Sequence, residues 1–299
     1  MILLALMLAQ SAAGAGGYDP EIEALMRRRK PAEKPVPAPS PSPGQSRDEA
    51  QSLAAILPPD VAKRLDACIA RANVKPEDGI ADARGWIANK GGAPAAQCLG
   101  YALGQSGKWS EAADALESGA TVSGNDAVTR ARLYAQAGNA ALVGGNARRA
   151  VTALDAALAS PLPATLATGE IHLDRARARV AVEDLPGARV DLDKAVQLAA
   201  ADPLAWLLSA TLARRMNDLP LARLHIAEAV KRARDDAGVA LEEGVILALS
   251  GDRDEGARAA FSRAAELAPG SDTARKAQAY LAQLGPVAAP AKAKAETPR

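Results

Sequence analysis

The segment Gly107-Lys108-Trp109-Ser110-Glu111-Ala112 is the first copy of a frame that returns, in similar form, four more times along the chain. The later copies are Gly145-Asn146-Ala147-Arg148-Arg149-Ala150, Glu183-Asp184-Leu185-Pro186-Gly187-Ala188, Asn217-Asp218-Leu219-Pro220-Leu221-Ala222 and Gly251-Asp252-Arg253-Asp254-Glu255-Gly256-Ala257. The alanines that close the frames are separated by 38, 38, 34 and 35 residues: Ala112, Ala150, Ala188, Ala222 and Ala257. Self-similarity at such a period indicates a repeat architecture.

Each frame predicts two helices joined by a turn, since Gly, Asn and Asp end a helix or cap the next one. Four positions after the closing alanine stands a larger apolar residue: Leu116, Leu154, Leu192, Ile226 and Phe261. The first helix of each pair carries a small residue for close contact: Gly100, Gly138, Ala176, Ala210 and Gly244. The two 38-residue spacings predict an extra turn in the helices that begin near Asp126 and Thr165.

Composition supports an all-α chain. The 299 residues include 73 alanines, aromatic residues reach only 3%, and the formal net charge is +1. A β-sandwich or barrel needs more β-branched and aromatic residues, and a nucleic-acid binder needs a basic excess. Alanine favours helices because it loses no side-chain entropy there.

The pattern resembles the tetratricopeptide repeat, on Leu99-Gly100, Trp206, the closing alanines, Phe261 and Pro269. The resemblance covers residues 93–284 in about five repeats with a closing helix, and residues 50–92 form a degenerate N-terminal helical repeat. It implies an all-α, right-handed superhelical solenoid of stacked helix-turn-helix repeats whose first helices line a concave groove.

Members of this family bind peptides in the groove, and the resemblance assigns nine positions of this sequence to it. They are Gln97, Tyr101, Asn139, Leu173, Arg177, Leu207, Thr211, Arg214 and Arg215. Leucine with interspersed arginine suits a peptide that carries acidic groups, because a guanidinium binds a carboxylate with two hydrogen bonds. Alternatively, the arginines form a solvated face or pair with Glu170 and Asp174.

The sequence contains no catalytic, cofactor or metal-binding motif. His172 and His225 are 53 residues apart, and neither has the neighbouring ligands that a zinc site needs. Nucleotide-binding, hydrolase and metalloprotease motifs are also missing from the sequence. The expected function is therefore a non-catalytic interaction module or scaffold that takes no cofactor and has protein or peptide partners. The alternative is a structural cell-envelope assembly factor that acts through oligomerisation or its convex face.

Cys68 and Cys98 are the only two cysteines, and their separation of 30 residues is close to one repeat. They fall on the first helices of neighbouring repeats, which stack side by side in the implied architecture. In an oxidising compartment this arrangement predicts a disulfide. Two buried thiols are the alternative.

The two ends of the chain differ from the repeats. Residues 1–15 resemble a signal peptide with cleavage near Ala15, which predicts a periplasmic or secreted protein; a cytoplasmic protein with an apolar N-terminal helix is the alternative. Residues 16–49 predict a short helix and a proline-rich linker, and residues 285–299 predict a disordered tail. The apolar run is too short to span a bilayer, so we expect no transmembrane segment.

Overall fold

The structure is a computed structural model that describes residues 57–124, 126–160, 166–251 and 255–284. The predicted signal peptide, proline-rich linker and C-terminal tail lie outside these residues. The described residues contain thirteen α-helices and no strand.

The helices follow one another with short connections. They are α1 Pro59–Val74, α2 Pro76–Ala88, α3 Gly92–Gln105, α4 Trp109–Thr121, α5 Ala127–Val143, α6 Ala147–Leu158, α7 Leu166–Ala181, α8 Leu185–Leu198, α9 Pro203–Arg215, α10 Leu219–Arg232, α11 Ala237–Leu249, α12 Gly256–Leu267 and α13 Asp272–Leu284. The two helices for which the spacing predicts an extra turn, α5 and α7, are 17 and 16 residues long, against 13 or 14 for α3, α9 and α11.

The turn inside each helix pair is built in the same way. The first residue of each repeated frame has a left-handed backbone: Gly107, Gly145, Glu183, Asn217 and Gly251, with φ between 62° and 96°. In four pairs the next amide bonds back to a carbonyl five residues earlier, for example Lys108 N to Leu103 O at 2.9 Å. This bond closes the first helix and satisfies its last carbonyls, so the chain reverses within three residues.

The small residues of the first helices lie against the larger residues of the second helices. A methyl group added to Gly138 would stand 2.6 Å from Leu154 Cγ, and one added to Gly244 would stand 2.5 Å from the Phe261 ring. Gly100 and Leu116 have the same relationship. The two helices of a pair therefore make their closest contact between the small residue and the larger residue that recur in each repeat. Glycine allows this short distance between the helices because it has no side chain.

The described residues form two compact units. In the first, which contains α1 to α6 and residues 177–184, consecutive helices pack together, and α1 packs on α3 and α3 on α5. Arg149 of α6 fastens this unit by donating to Glu117 of α4 at 2.9 Å and to Asp114 at 2.6 Å. These contacts raise the pKa of the Arg149 guanidinium, chiefly through the hydrogen bond that it donates to the Glu117 carboxylate.

The second unit contains residues 166–176 and α8 to α13. Here α9 packs on α8, α10 and α11, and α13 packs on α11 and α12. The buried cluster at its C-terminal end joins α11, α12 and α13 through Ala240, Leu241, Ala257, Phe261, Ala264 and Ala277. The ring of Tyr280 in α13 stacks on Phe261 with the centroids 5.2 Å apart.

Candidate functional site

Polar side chains lie at helical spacing on two first helices of the first unit. Gln97 and Tyr101 are four residues apart on α3, and Arg132, Gln136 and Asn139 are spaced by four and three on α5. Side chains at this spacing share one side of a helix. Because Tyr101 and Asn139 are separated by one 38-residue repeat and α3 packs on α5, both rows face the same side. We call these five residues the α3–α5 face.

All five side chains of the α3–α5 face are half-buried. Among the residues that the structure describes, Gln97, Arg132, Gln136 and Asn139 have no side-chain hydrogen bond and no ion pair. None of their polar atoms is fully buried, so water still reaches these groups and a ligand can replace that water. This face therefore offers amide donors and acceptors and one cationic donor to a molecule outside the chain.

Arg132 is the charged member of the α3–α5 face. Burial lowers the pKa of its guanidinium, and the Asp126 carboxylate partly opposes that effect. Arginine stays protonated in proteins, so the consequence is a positive charge held where water solvates it poorly. An incoming carboxylate would relieve that cost. Arg132 and Gln136 are not among the groove residues expected from the family pattern, although their helical spacing from Asn139 places them on the same side of α5.

The α3–α5 face adjoins two cross-links between α1 and α3. The predicted disulfide between Cys68 and Cys98 is confirmed, with the Cα atoms 6.2 Å apart and both residues fully buried. Further along the same two helices, Tyr101 Oη donates to Asn73 Oδ1 at 2.5 Å. From the disulfide to the hydrogen bond, residue numbers rise on both helices, from Cys68 to Asn73 on α1 and from Cys98 to Tyr101 on α3. The two helices therefore run parallel, as is expected for the first helices of neighbouring repeats.

In the second unit the structure corrects three of the expected groove residues. Leu173 is 0% exposed, Leu207 is 3% exposed, and Thr211 is also buried, with its hydroxyl donating to Leu207 O at 3.0 Å. These side chains belong to the core and are not displayed. For Leu207 and Thr211 the reason is that α9 has helices packed on several sides. Burying a leucine side chain stabilises a fold by about 1.5–3 kcal/mol.

The three expected groove arginines have different environments. Arg214 donates to the Glu242 carboxylate of α11 at 2.7 and 3.2 Å, so this arginine is in an ion pair. Arg177 is buried and belongs to the first unit. Arg215 is exposed at the end of α9. The expected groove residues are thus divided between the two units. Gln97, Tyr101 and Asn139 are half-buried on α3 and α5 of the first unit, whereas the α9 residues Leu207 and Thr211 are buried in the second.

Both histidines lie in hydrogen-bonded networks inside the second unit. His172 Nδ1 is 2.8 Å from the fully buried carboxylate of Asp191, which also accepts from Arg175 at 2.6 Å. His225 Nδ1 is 2.6 Å from Ser209 Oγ, and Arg189 donates to the same oxygen at 2.6 Å. Burial, followed by the Arg189 charge, lowers the pKa of His225. Ser209 is fully buried, so this pair has no access to a substrate.

Neither a metal site nor a membrane span is present in the part of the chain that the structure describes. No group of three or more His, Cys, Asp or Glu side chains converges there. No described helix is long and apolar enough to cross a bilayer.

The second helices of the second unit expose a small apolar pair. Val190 of α8 and Leu224 of α10 are each 60% exposed, and both stand two residues after a closing alanine. Single exposed apolar residues are common on soluble proteins. These two residues are apolar surface that the second helices of this unit offer to solvent.

No family model matches the sequence, and no curated protein is significantly similar to it. Solved structures do resemble the fold. A chain from a study of PilF of Pseudomonas aeruginosa has a TM-score of 0.59 at 16% identity, covering 74% of this chain and 99% of that one. YrrB, described as a TPR protein with an unusual peptide-binding site, has a TM-score of 0.51 at 20% identity; the match covers 66% of this chain and 96% of YrrB. The C-terminal part of a TPR repeat-containing protein of Cytophaga hutchinsonii has a TM-score of 0.54 at 15% identity; the match covers 77% of this chain and 92% of that one.

These likenesses concern the fold. Together with the thirteen described helices, they confirm the prediction of an all-α chain built from stacked helix-turn-helix repeats.

Proposed function

We propose that this chain, which has the tetratricopeptide-repeat fold, is a non-catalytic interaction module that binds peptide segments of other proteins on its α3–α5 face. One observation carries the proposal: four half-buried polar side chains of this face, Gln97, Arg132, Gln136 and Asn139, have no hydrogen-bond partner among the described residues. An extended peptide supplies what such groups lack, because its main chain alternates carbonyl acceptors and amide donors.

The preferred peptide carries an acidic group. Arg132 is the one cationic member of the α3–α5 face, and its guanidinium can hold a carboxylate with two hydrogen bonds. The amides of Gln136 and Asn139 lie on the same side of α5, so main-chain contacts would place an acidic side chain or a chain terminus near Arg132. YrrB, whose fold is similar, is described as having a peptide-binding site.

Selection from a random-peptide phage library on the wild-type chain tests this function. We expect enriched peptides with acidic residues, which bind the wild type and the Arg148→Ala variant equally. Arg148 is an exposed arginine on the second helix α6, so its removal controls for a general loss of positive charge. The Arg132→Ala and Asn139→Ala variants should each bind these peptides at least about tenfold more weakly, since each loses a charged or bidentate contact. Peptides that bind all four proteins equally would contradict the proposal.

A second function, contact through the second helices in an assembly of the cell envelope, is supported by the exposed pair Val190 and Leu224. It predicts that Val190→Ser with Leu224→Ser disrupts self-association or assembly and leaves peptide binding intact. Analytical ultracentrifugation of the double variant beside the wild type measures this directly.

We also propose that the protein acts in an oxidising compartment. The Cys68–Cys98 disulfide supports this location, because such bonds persist mainly in exported proteins. The signal peptide that would carry the chain there lies outside the described residues. Fusing residues 1–30 to an alkaline phosphatase that is active only after export tests the location: phosphatase activity is expected, and an inactive fusion would contradict export.

A further inference from the structure

Asn73, at the end of α1, is placed beside the α3–α5 face by two contacts. The disulfide holds α1 against α3, and the Tyr101 hydroxyl donates to Asn73 Oδ1 at 2.5 Å. Tyr101 is itself a member of the face. An asparagine amide has an oxygen acceptor and two protons on nitrogen, so this contact uses the acceptor and leaves the Nδ2 protons available. Asn73 is exposed, and no described residue accepts a hydrogen bond from these protons, so a ligand would replace only water there.

The charges around Asn73 indicate which acceptor its Nδ2 group suits. The neighbouring cations on α1 and after it are engaged: Arg71 donates to Asp82 at 2.6 Å, and Lys75 lies 3.2 Å from Asp78. A carboxylate at Asn73 would therefore find no uncommitted positive charge nearby. A neutral carbonyl is the better partner for a neutral amide donor, and an extended peptide presents main-chain carbonyls at regular intervals.

We propose that Asn73 is a further peptide-binding residue, which donates from Nδ2 to a main-chain carbonyl of the bound peptide and extends the α3–α5 face onto α1. This inference rests on the proposed peptide binding. Tyr101 acts as a positioning residue for Asn73, because its hydroxyl fixes which end of the amide faces outward. The disulfide serves the same end by keeping α1 parallel to α3. The bound segment thus spans three first helices, with a neutral end at α1 and an acidic end at α5.

The test uses a peptide enriched on the wild-type chain and two shortened versions, each lacking residues from one end. Isothermal titration gives the dissociation constant of each peptide for the wild type and for Asn73→Ala. We expect Asn73→Ala to weaken the full peptide about three- to tenfold, the effect of one neutral hydrogen bond. One of the two shortened peptides should bind the wild type more weakly than the full peptide does. The Asn73→Ala variant should bind that shortened peptide and the full peptide equally, because the removed peptide residues are those that Asn73 contacts.

Two further variants separate contact from structure. Asn73→Asp keeps the acceptor for Tyr101 and removes the Nδ2 donors, so it should bind as weakly as Asn73→Ala. Tyr101→Phe keeps Asn73 but removes the hydroxyl that orients its amide, so peptide affinity should fall less than in Asn73→Ala. If both truncations weaken Asn73→Ala and the wild type by the same factor, Asn73 does not contact the peptide and the inference is wrong. If Arg132→Ala and Asn139→Ala nevertheless weaken peptide binding, the proposed function stands without a contact at Asn73. A library that yields no peptide contradicts both the proposed function and the Asn73 inference.

Discussion

Cys68 of α1 and Cys98 of α3 form a disulfide that joins the first helices of two neighbouring repeats, with 30 residues of sequence between them. Both cysteines are fully buried and pack in one cluster with Leu65 and Ala83. The bond therefore fastens the N-terminal helix pair to the rest of the first unit, beside the residues that we assign to peptide binding.

Replacing both cysteines by alanine should lower the free energy of unfolding of the first unit by about 3–4 kcal/mol, which is the chain-entropy estimate for a loop of this length. Urea denaturation followed by circular dichroism measures the change. A reducing agent should destabilise the wild type and leave the Cys68→Ala, Cys98→Ala variant unaffected. Equal denaturation midpoints for the oxidised wild type and the double variant would show that the bond does not stabilise the unit.

Gly138→Ala should destabilise the protein by about 1–3 kcal/mol, because the new methyl group would stand 2.6 Å from Leu154 Cγ and force the α5–α6 pair apart. Gly85→Ala in α2 is the matched control. No heavy atom lies within 4 Å of the methyl group that it adds, so the higher helix propensity of alanine should stabilise the protein by about 0.5–1 kcal/mol. Thermal or urea unfolding of the two variants should therefore shift in opposite directions; a shared direction would contradict the packing described here.

Glu242→Ala should cost about 3–5 kcal/mol, because it removes the carboxylate that accepts from the largely buried Arg214 guanidinium. Replacing the pair together, as Arg214→Met with Glu242→Leu, should restore most of the loss, since an apolar pair needs no charge compensation in the interior. A double-mutant cycle from urea denaturation measures the coupling. Additive effects of the two single variants would mean that the ion pair contributes nothing of its own.

The stability of the second unit should fall in mild acid because of His225. Burial and the Arg189 charge lower the pKa of His225 in the folded state, so the unfolded chain binds the proton more readily. The contribution is fully present above the unfolded pKa of about 6.5 and is lost as the pH falls from there toward the folded pKa. Unfolding free energies of the wild type and His225→Gln, measured between pH 5 and pH 8, give the difference. An identical pH dependence for both proteins would exclude His225 as its source.

The repeat frames of the sequence predict the fold in some detail. The residues that open the frames, such as Gly107 and Asn217, are those with a left-handed backbone in the turns, since local chemistry alone selects them. The spacing of Cys68 and Cys98 likewise places them on neighbouring first helices, and the structure joins them.

The side-chain contacts between helices are harder to predict. Leu207 takes a groove position in the family pattern and is nevertheless in the core, because burial depends on how closely α9, α10 and α11 pack. Arg214 pairs with Glu242, 28 residues further along the chain, and Ser209 of α9 hydrogen-bonds with His225 of α10. Such pairs follow from helix rotation and from the one-turn variation in helix length, which a single sequence does not determine.

Photo-crosslinking can show whether partners bind the first helices of the first unit. A benzophenone amino acid is placed either at Gln136, on the α3–α5 face, or at Val190, on a second helix, and the protein is irradiated in cells that express its natural partners. If partners bind the α3–α5 face, we expect a partner adduct at Gln136 that an enriched peptide competes away, and no adduct at Val190. Adducts at Val190 alone, or adducts at Gln136 that the peptide leaves unchanged, would contradict it.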